Sequence, residues 1–185
     1  MSRARRLVVL AGPTAVGKGT VAAYVREHHP QVQISISATT RAPRPGEIDG
    51  VHYVFLTPEE FESREAAGDF LETAVVHGRA SYGTLRAPVE AALAADRPVL
   101  LEIDIQGARQ VREAMPDSLL VFLEPPSWDE LVRRLVGRGT ETEAERAARL
   151  ETAKVELAAK SEFDVSIVNG EVRRAAEELV SLIDP

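Results

Sequence analysis

Two stretches of this chain hold residue types at spacings that suit chemistry. The first is Gly12-Pro13-Thr14-Ala15-Val16-Gly17-Lys18-Gly19-Thr20. Glycines flanking four residues, with a lysine directly after the second, allow backbone N–H groups to turn inward as a nest for anionic oxygens. A helix beginning at Lys18 would add its own unpaired N–H groups and the positive end of its dipole. Lys18 brings a point charge to the same anion, so the set reads as a phosphate-binding loop. Position 19, where a hydroxyl residue usually serves a magnesium ion, is glycine. A metal is therefore expected to rest mainly on phosphate oxygens and water, with Thr20 the nearest hydroxyl.

The second stretch runs from Ser37 through Thr39-Thr40-Arg41-Ala42-Pro43-Arg44-Pro45-Gly46-Glu47 to Tyr53. Arg41 and Arg44, stiffened by two prolines, present planar forks that match a phosphate monoester. Ser37 and Tyr53 could add hydroxyl donors. A phosphate loop and an arginine fork together predict a site for two phosphorylated groups.

These residues need a frame. Short apolar runs at Leu7–Ala11, Gln33–Ser37, Val99–Asp104, Leu119–Leu123 and Val165–Val168 read as strands buried on both faces. Helical patterns alternate with them at Lys18–His28, Ala87–Ala95, Gln106–Met115, Trp128–Val136, Glu143–Lys160 and Val172–Ile183. Thr57-Pro58-Glu59-Glu60 and Ser127-Trp128-Asp129-Glu130 carry the capping-box pattern of helix starts. The alternation predicts an α/β fold, a parallel sheet covered by helices on both sides, with ligands at the carboxyl ends of the strands. Residues 38–84, rich in proline and glycine, break the rhythm and read as a small, partly β insertion. Gly137-Arg138-Gly139-Thr140 has the glycines of a mobile loop, and Trp128 is expected to pack.

The 185 residues predict one domain, and 44% hydrophobic with 28% charged residues is ordinary for a folded chain. The absence of cysteine excludes disulfides, thiol nucleophiles and thiolate zinc sites. No apolar run is long enough for a membrane span, and Leu7–Ala11, behind an arginine-rich start, is too short for a secretory signal, so a cytoplasmic location is expected. A net charge of −7 argues against nucleic-acid and membrane partners. Any anion must be held by local positive charge.

With these motifs in view, the chain resembles the guanylate kinases of bacterial type. The resemblance runs from the GPTAVGKGT loop through SATTRAPRPGE, FLE, YGT and LEIDIQGA to RLVGRGTE and IVN. It implies transfer of the ATP γ-phosphate to GMP, and to dGMP, with Mg²⁺ and in-line geometry. It also implies a P-loop three-layer α/β/α core (about 1–37, 85–136 and 162–185), a GMP-binding insertion (about 38–84) and a mobile lid (about 137–161). Gly12 to Thr20 would bind ATP together with Arg134, Arg138 and Asn169. Ser37, Arg41, Arg44, Tyr53 and Tyr82 would grip the GMP phosphate. Glu72 would read guanine with Thr84 and Asp104, since a carboxylate accepts from N1–H and the exocyclic amine together. Lys18, Arg41, Arg138 and Arg149 would carry the transfer, and Thr20 or Asp104 could touch the metal. The oligomeric state is unassigned.

The chain departs from the family pattern at Gly19, at Glu102 in place of aspartate, at Thr73 in place of tryptophan, and in a loop between Glu72 and Gly83 that is one residue longer. The last two predict some relaxation of base selectivity. Two other readings stay open: a P-loop kinase with another acceptor, such as ribose 1,5-bisphosphate, or a non-catalytic guanylate-kinase-like binding module.

Overall fold

A computed structural model describes residues 7–76, 80–136 and 142–184. In chain order the strands are β1 (Leu7–Ala11), β2 (Gln33–Ile34), β3 (Ser37–Thr39), β4 (Val54–Phe55), β5 (Phe70–Val76), β6 (Ala80–Leu85), β7 (Val99–Glu102), β8 (Leu119–Glu124) and β9 (Val165–Val168). The helices are α1 (Lys18–His28), α2 (Pro58–Ala66), α3 (Arg86–Ala94), α4 (Ile105–Ala114), α5 (Trp128–Val136), α6 (Glu143–Ala158) and α7 (Val172–Ile183). A 3₁₀ turn at Ala159–Glu162 follows α6.

Five strands form a parallel sheet in the order β2-β7-β1-β8-β9. Its middle strands are apolar at consecutive positions because both faces are covered. Val8, Leu10, Leu100, Val121 and Leu123 pack toward α1 and α7 through Val21, Val25, Ala176 and Leu179. Val9, Leu101, Leu120 and Phe122 pack the other way, with Val89 of α3 and Ala108 and Val111 of α4. Burying each such side chain is worth about 1.5–3 kcal/mol, which makes this double layer the main stabilising element. The expected three-layer α/β arrangement is the one observed.

A second sheet has the order β4-β3-β6-β5, with β3 and β5 antiparallel to β6. The expected single strand Gln33–Ser37 is divided between the two sheets. Gln33 and Ile34 pair with β7, and Ser35 N–H still reaches the Leu100 carbonyl at 3.0 Å. The chain then leaves, and Ser37 pairs with Thr84 across β6. The second sheet thus begins at Ser37 and ends at Leu85.

Other boundaries move for local reasons. The strand expected to reach Asp104 stops at Glu102, because the Asp104 side chain caps α4 by accepting the Gly107 N–H at 2.7 Å. The Thr57–Glu60 capping box forms in full at α2. At Ser127 only half forms: the hydroxyl accepts from Glu130 N–H, while the Glu130 carboxylate is drawn to Arg134 at 3.0 Å and to Arg133. Trp128 is 37% exposed, against the expectation that it packs. Arg109 and Arg112 pair with Glu162 and Asp164, tying α4 to the segment before β9.

Candidate functional site

The loop between β1 and α1 is shaped by its own backbone. Gly17 caps α1 in a left-handed conformation (φ 99°), with no side-chain acceptor on the first turn and no acidic residue there. The first N–H groups of α1 are therefore left for an external anion. A side chain at Gly17 would meet Asn169 Nδ2 at 2.6 Å. Asn169, 3% exposed, donates through that atom to the Val16 carbonyl at 2.8 Å, and Arg134 donates to the same carbonyl at 3.0 Å. In this state Asn169 and Arg134 support the back of the loop. Lys18 donates to the Gly12 and Pro13 carbonyls at 2.7 and 3.3 Å. Desolvation lowers its pKa, opposed by the negative charges of Glu102, Glu156 and Asp104.

Beside the loop, between the two sheets, lies a cavity of about 560 Å³, within the range of small-molecule sites. Lys18, Ser37, Tyr53, Glu72, Tyr82 and Asp104 all line it, so residues spread over much of the sequence share one wall. The β5–β6 pair explains how Glu72 gets there. A register shift between Phe70 and Glu72 sends Phe70 into the small core with Phe61, Leu71 into the main core, and Glu72 into the cavity. Thr73 then faces away: its hydroxyl donates to Glu65 Oε1 on α2 at 2.6 Å. Thr73 therefore does not line the cavity, although its substitution was expected to act around the base. The longer loop around His77 lies outside the described residues.

Glu72 is only 5% exposed and accepts the Thr84 hydroxyl at 2.7 Å. Burial, with the neighbouring negative charge of Asp104, raises its pKa to about 7 against the help of Thr84. Thr84 is itself buried at 1% and reaches the cavity through Glu72. At this end the cavity offers a desolvated carboxylate to a donor-rich ring edge.

The residues expected to grip the acceptor phosphate are arranged differently from the simple fork that the sequence suggested. Arg41 forms a two-pronged ion pair with Glu47, at 2.9 and 3.0 Å, and lies over the Tyr53 ring at 5.3 Å. The pair raises the Arg41 pKa and holds the Glu47 carboxyl at about 2. Arg44 is exposed and does not line the cavity, but its backbone N–H is bound to Glu47 at 2.7 Å. Arg149 is an exposed residue of α6, one turn before the buried Ala153, and Arg138 lies outside the described residues.

Several working residues had not been assigned a role from the sequence. Glu47 anchors both arginines; its place three residues after Arg44 was the available signal. Gln110 clamps both backbone groups of Thr73, at 3.0 and 2.8 Å, and so holds the strand that bears Glu72. Gly107 lets α4 approach: a side chain there would stand 2.7 Å from Glu72 Oε2. Among the described residues no group of three His, Cys, Asp or Glu side chains could hold a metal alone. Yet the Thr20 hydroxyl on the first turn of α1 and the Glu102 and Asp104 carboxylates on the cavity wall are hard oxygen donors. That set fits magnesium, which keeps water and takes one or two carboxylates beside phosphate. Among the described residues no helix is long and apolar enough to cross a membrane.

Comparison with known proteins shows the family. The guanylate kinase family model matches residues 4–185. The chain is 64% identical over 186 residues to a guanylate kinase of Bifidobacterium longum, covering 98% of this chain and 95% of that one. It is 59% identical over 182 residues to a guanylate kinase of Nocardia farcinica, covering 98% and 94%. The crystal structure of guanylate kinase from Anaplasma phagocytophilum superposes with a TM-score of 0.75 at 31% identity, over 96% of this chain and 83% of that one. A family match over nearly the whole length, and relatives this similar along nearly all of theirs, place the chain in the guanylate kinase family.

Proposed function

We propose the following division of labour for the ATP-dependent phosphorylation of GMP that this guanylate kinase carries out. The loop Gly12–Thr20 and the uncapped start of α1 take the ATP phosphates, with Lys18 at their reacting end. Ser37, Arg41, Arg44, Tyr53 and Tyr82 take the acceptor phosphate. Glu72, with Thr84 behind it and Asp104 beside it, reads guanine. The family likeness extends the acceptor to dGMP. Residues 38–84 act as the acceptor-binding unit and 137–161 as a lid, with Arg134, Arg138 and Arg149 meeting the donor phosphates from that side.

Phosphoryl transfer asks the protein for positioning and charge cancellation more than for covalent chemistry. The acceptor phosphate is already a nucleophile, so no general base is needed. Two anions must nevertheless meet on a protein of net charge −7. Lys18 and the arginines concentrate positive charge where they meet, and closing the site would keep out water that could hydrolyse ATP. Magnesium, held by phosphate oxygens with Thr20, Asp104 or Glu102, would neutralise phosphate charge when bound.

The observation that carries this reading is the common cavity wall shared by Lys18, a cation for phosphate, and Glu72, a buried carboxylate for the base. Coupled ADP-release assays with GMP, dGMP, AMP and IMP test it. GMP and dGMP should be accepted well and AMP poorly. Lys18→Ala should depress turnover with every acceptor, whereas Glu72→Ala should erode the preference for guanine. Equal use of AMP and GMP by the unaltered protein would defeat the assignment.

A further inference from the structure

Glu156, near the end of α6, is in direct hydrogen-bond contact with the phosphate loop. Its carboxylate accepts the Thr14 backbone N–H at 2.8 Å and the Thr14 hydroxyl at 3.4 Å, across 142 positions of sequence. The same peptide unit is held from its other end, because the Pro13 carbonyl accepts from Lys18 Nζ at 3.3 Å. All peptides here are trans, so that carbonyl and that N–H point in opposite directions. The Glu156 carboxylate therefore lies on the far side of the peptide from the Lys18 ammonium. A peptide bonded to a cation at its oxygen and to an anion at its nitrogen is polarised in the same sense by both.

The next residue needs such support. Ala15 has φ +65°, a left-handed conformation that an L-residue adopts only when its surroundings impose it. Its side chain packs against an apolar cluster between α5 and α6 formed by Leu131, Leu135 and Ala153, with Leu150 and Leu157 beside them. Thus α6 reaches two consecutive loop residues, Thr14 by charge and Ala15 by packing.

We propose that Glu156 is a positioning residue of the donor site: by bracing the Pro13–Thr14 peptide it holds the phosphate loop, and the reach of Lys18, in the geometry that receives the donor triphosphate. The assignment rests on the functional reading above and adds to it a control on donor affinity. It also has an electrostatic consequence. The charged groups facing Lys18 are Glu102 of β7, Asp104 at the cap of α4, and Glu156, and all three support its ammonium against desolvation.

Steady-state kinetics of E156A and E156Q test the proposal, with the unaltered protein measured alongside. E156A should raise the KM for ATP about tenfold, the loss of one charge-assisted hydrogen bond, and leave the KM for GMP within about twofold. In E156Q the amide oxygen can still accept the Thr14 N–H, so most of the ATP affinity should return. An unchanged or lower KM for ATP in E156A would overturn the brace, as would equal increases for both substrates. If E156A does not fold, E156D serves instead: its shorter carboxylate falls short of the Thr14 N–H, so an unchanged KM for ATP in E156D overturns the brace. Failure of the unaltered protein to form ADP in response to GMP would be a different result, defeating the functional reading itself.

Discussion

Glu47 holds Arg41 with both carboxylate oxygens and, with one of them, also takes the backbone N–H of Arg44. A single carboxylate is therefore the reference point for both arginines assigned to the acceptor phosphate. Held this way, Arg41 loses little further side-chain freedom when its remaining donors meet a phosphate, which is the advantage of a preorganised fork. Replacing Glu47 by alanine frees the guanidinium and opens the turn at once. E47A should raise the KM for GMP by roughly five- to tenfold while changing the KM for ATP little, as expected for loss of charge-assisted hydrogen bonds on one substrate only. Parallel titrations of the two substrates measure this directly.

Glu47 also sets an acid-side expectation. Its carboxyl is held at about 2, below the ordinary 4.5, chiefly by its hydrogen bonds to Arg41 and to the Arg44 N–H. A depressed carboxyl supports stability above its unfolded value and loses that support as pH falls toward the folded value. Denaturant midpoints of E47Q and the unaltered protein should therefore converge as pH is lowered from 5 toward 2, and stay apart at neutral pH.

Glu72 behaves in the opposite sense. Burial raises its pKa to about 7, so the folded protein favours the protonated form. Its contribution to stability is complete below the ordinary carboxyl value near 4.5 and is lost as pH rises through about 7. E72Q removes the ionisation, and at pH 8 it should be more stable than the unaltered protein by about 2–3 kcal/mol, a difference that vanishes near pH 4. Urea unfolding at the two pH values checks this. The guanine recognition proposed for Glu72 runs the other way, because only the ionised form accepts two N–H groups. The KM for GMP should climb as pH drops below 7, and that component of the climb should be missing in E72Q.

These cases indicate how much of the molecule was legible in the sequence. Lys18–His28, Trp128–Val136 and Val172–Ile183 form helices with the expected ends, because amphipathic spacing and terminal residues act within a few positions. The turn from β1 into α1 was readable for the same reason: its glycines act on consecutive backbone groups. The division of Gln33–Ser37 between two sheets was not readable, since it depends on Val99 and Thr84 far along the chain. Glu156 escaped notice because its helix has charges all along it, and only the folded chain distinguishes the one that meets Thr14. The fate of Thr73 likewise depends on Glu65 and Gln110, whose proximity no local pattern reveals.

Gly107 connects packing with specificity in a way that can be measured. A methyl group there would sit 2.7 Å from Glu72 Oε2 and 3.2 Å from Asp104 Oδ1, the two carboxylates assigned to the base. Alanine favours a helix over glycine by roughly 1 kcal/mol, so G107A should fold. Relief of the contact must come from moving Glu72, whose other oxygen is bound to Thr84. A site of buried hydrogen bonds tolerates such displacement poorly. G107A should thus lose about ten- to a hundredfold in kcat/KM for GMP, with little change in ATP affinity and a narrower margin over AMP.

Gly19 presents the reverse case, a glycine that nothing in the fold requires. It lies in the first turn of α1 without a left-handed φ, and an added Cβ would be an ordinary 3.6 Å from Glu102 Oε1. Serine fits there and is the better helix former by roughly 0.5 kcal/mol. Its hydroxyl would stand beside Glu102, adding one more hard oxygen to the group that suits magnesium. G19S should be slightly more stable and fully folded. If phosphate oxygens, water and the existing carboxylates already supply most of the metal's ligands, its magnesium half-saturation should fall by no more than about threefold, under 1 kcal/mol. A much larger fall in the magnesium requirement, measured by titrating the metal at fixed ATP, would show that this chain lacks a ligand its chemistry needs.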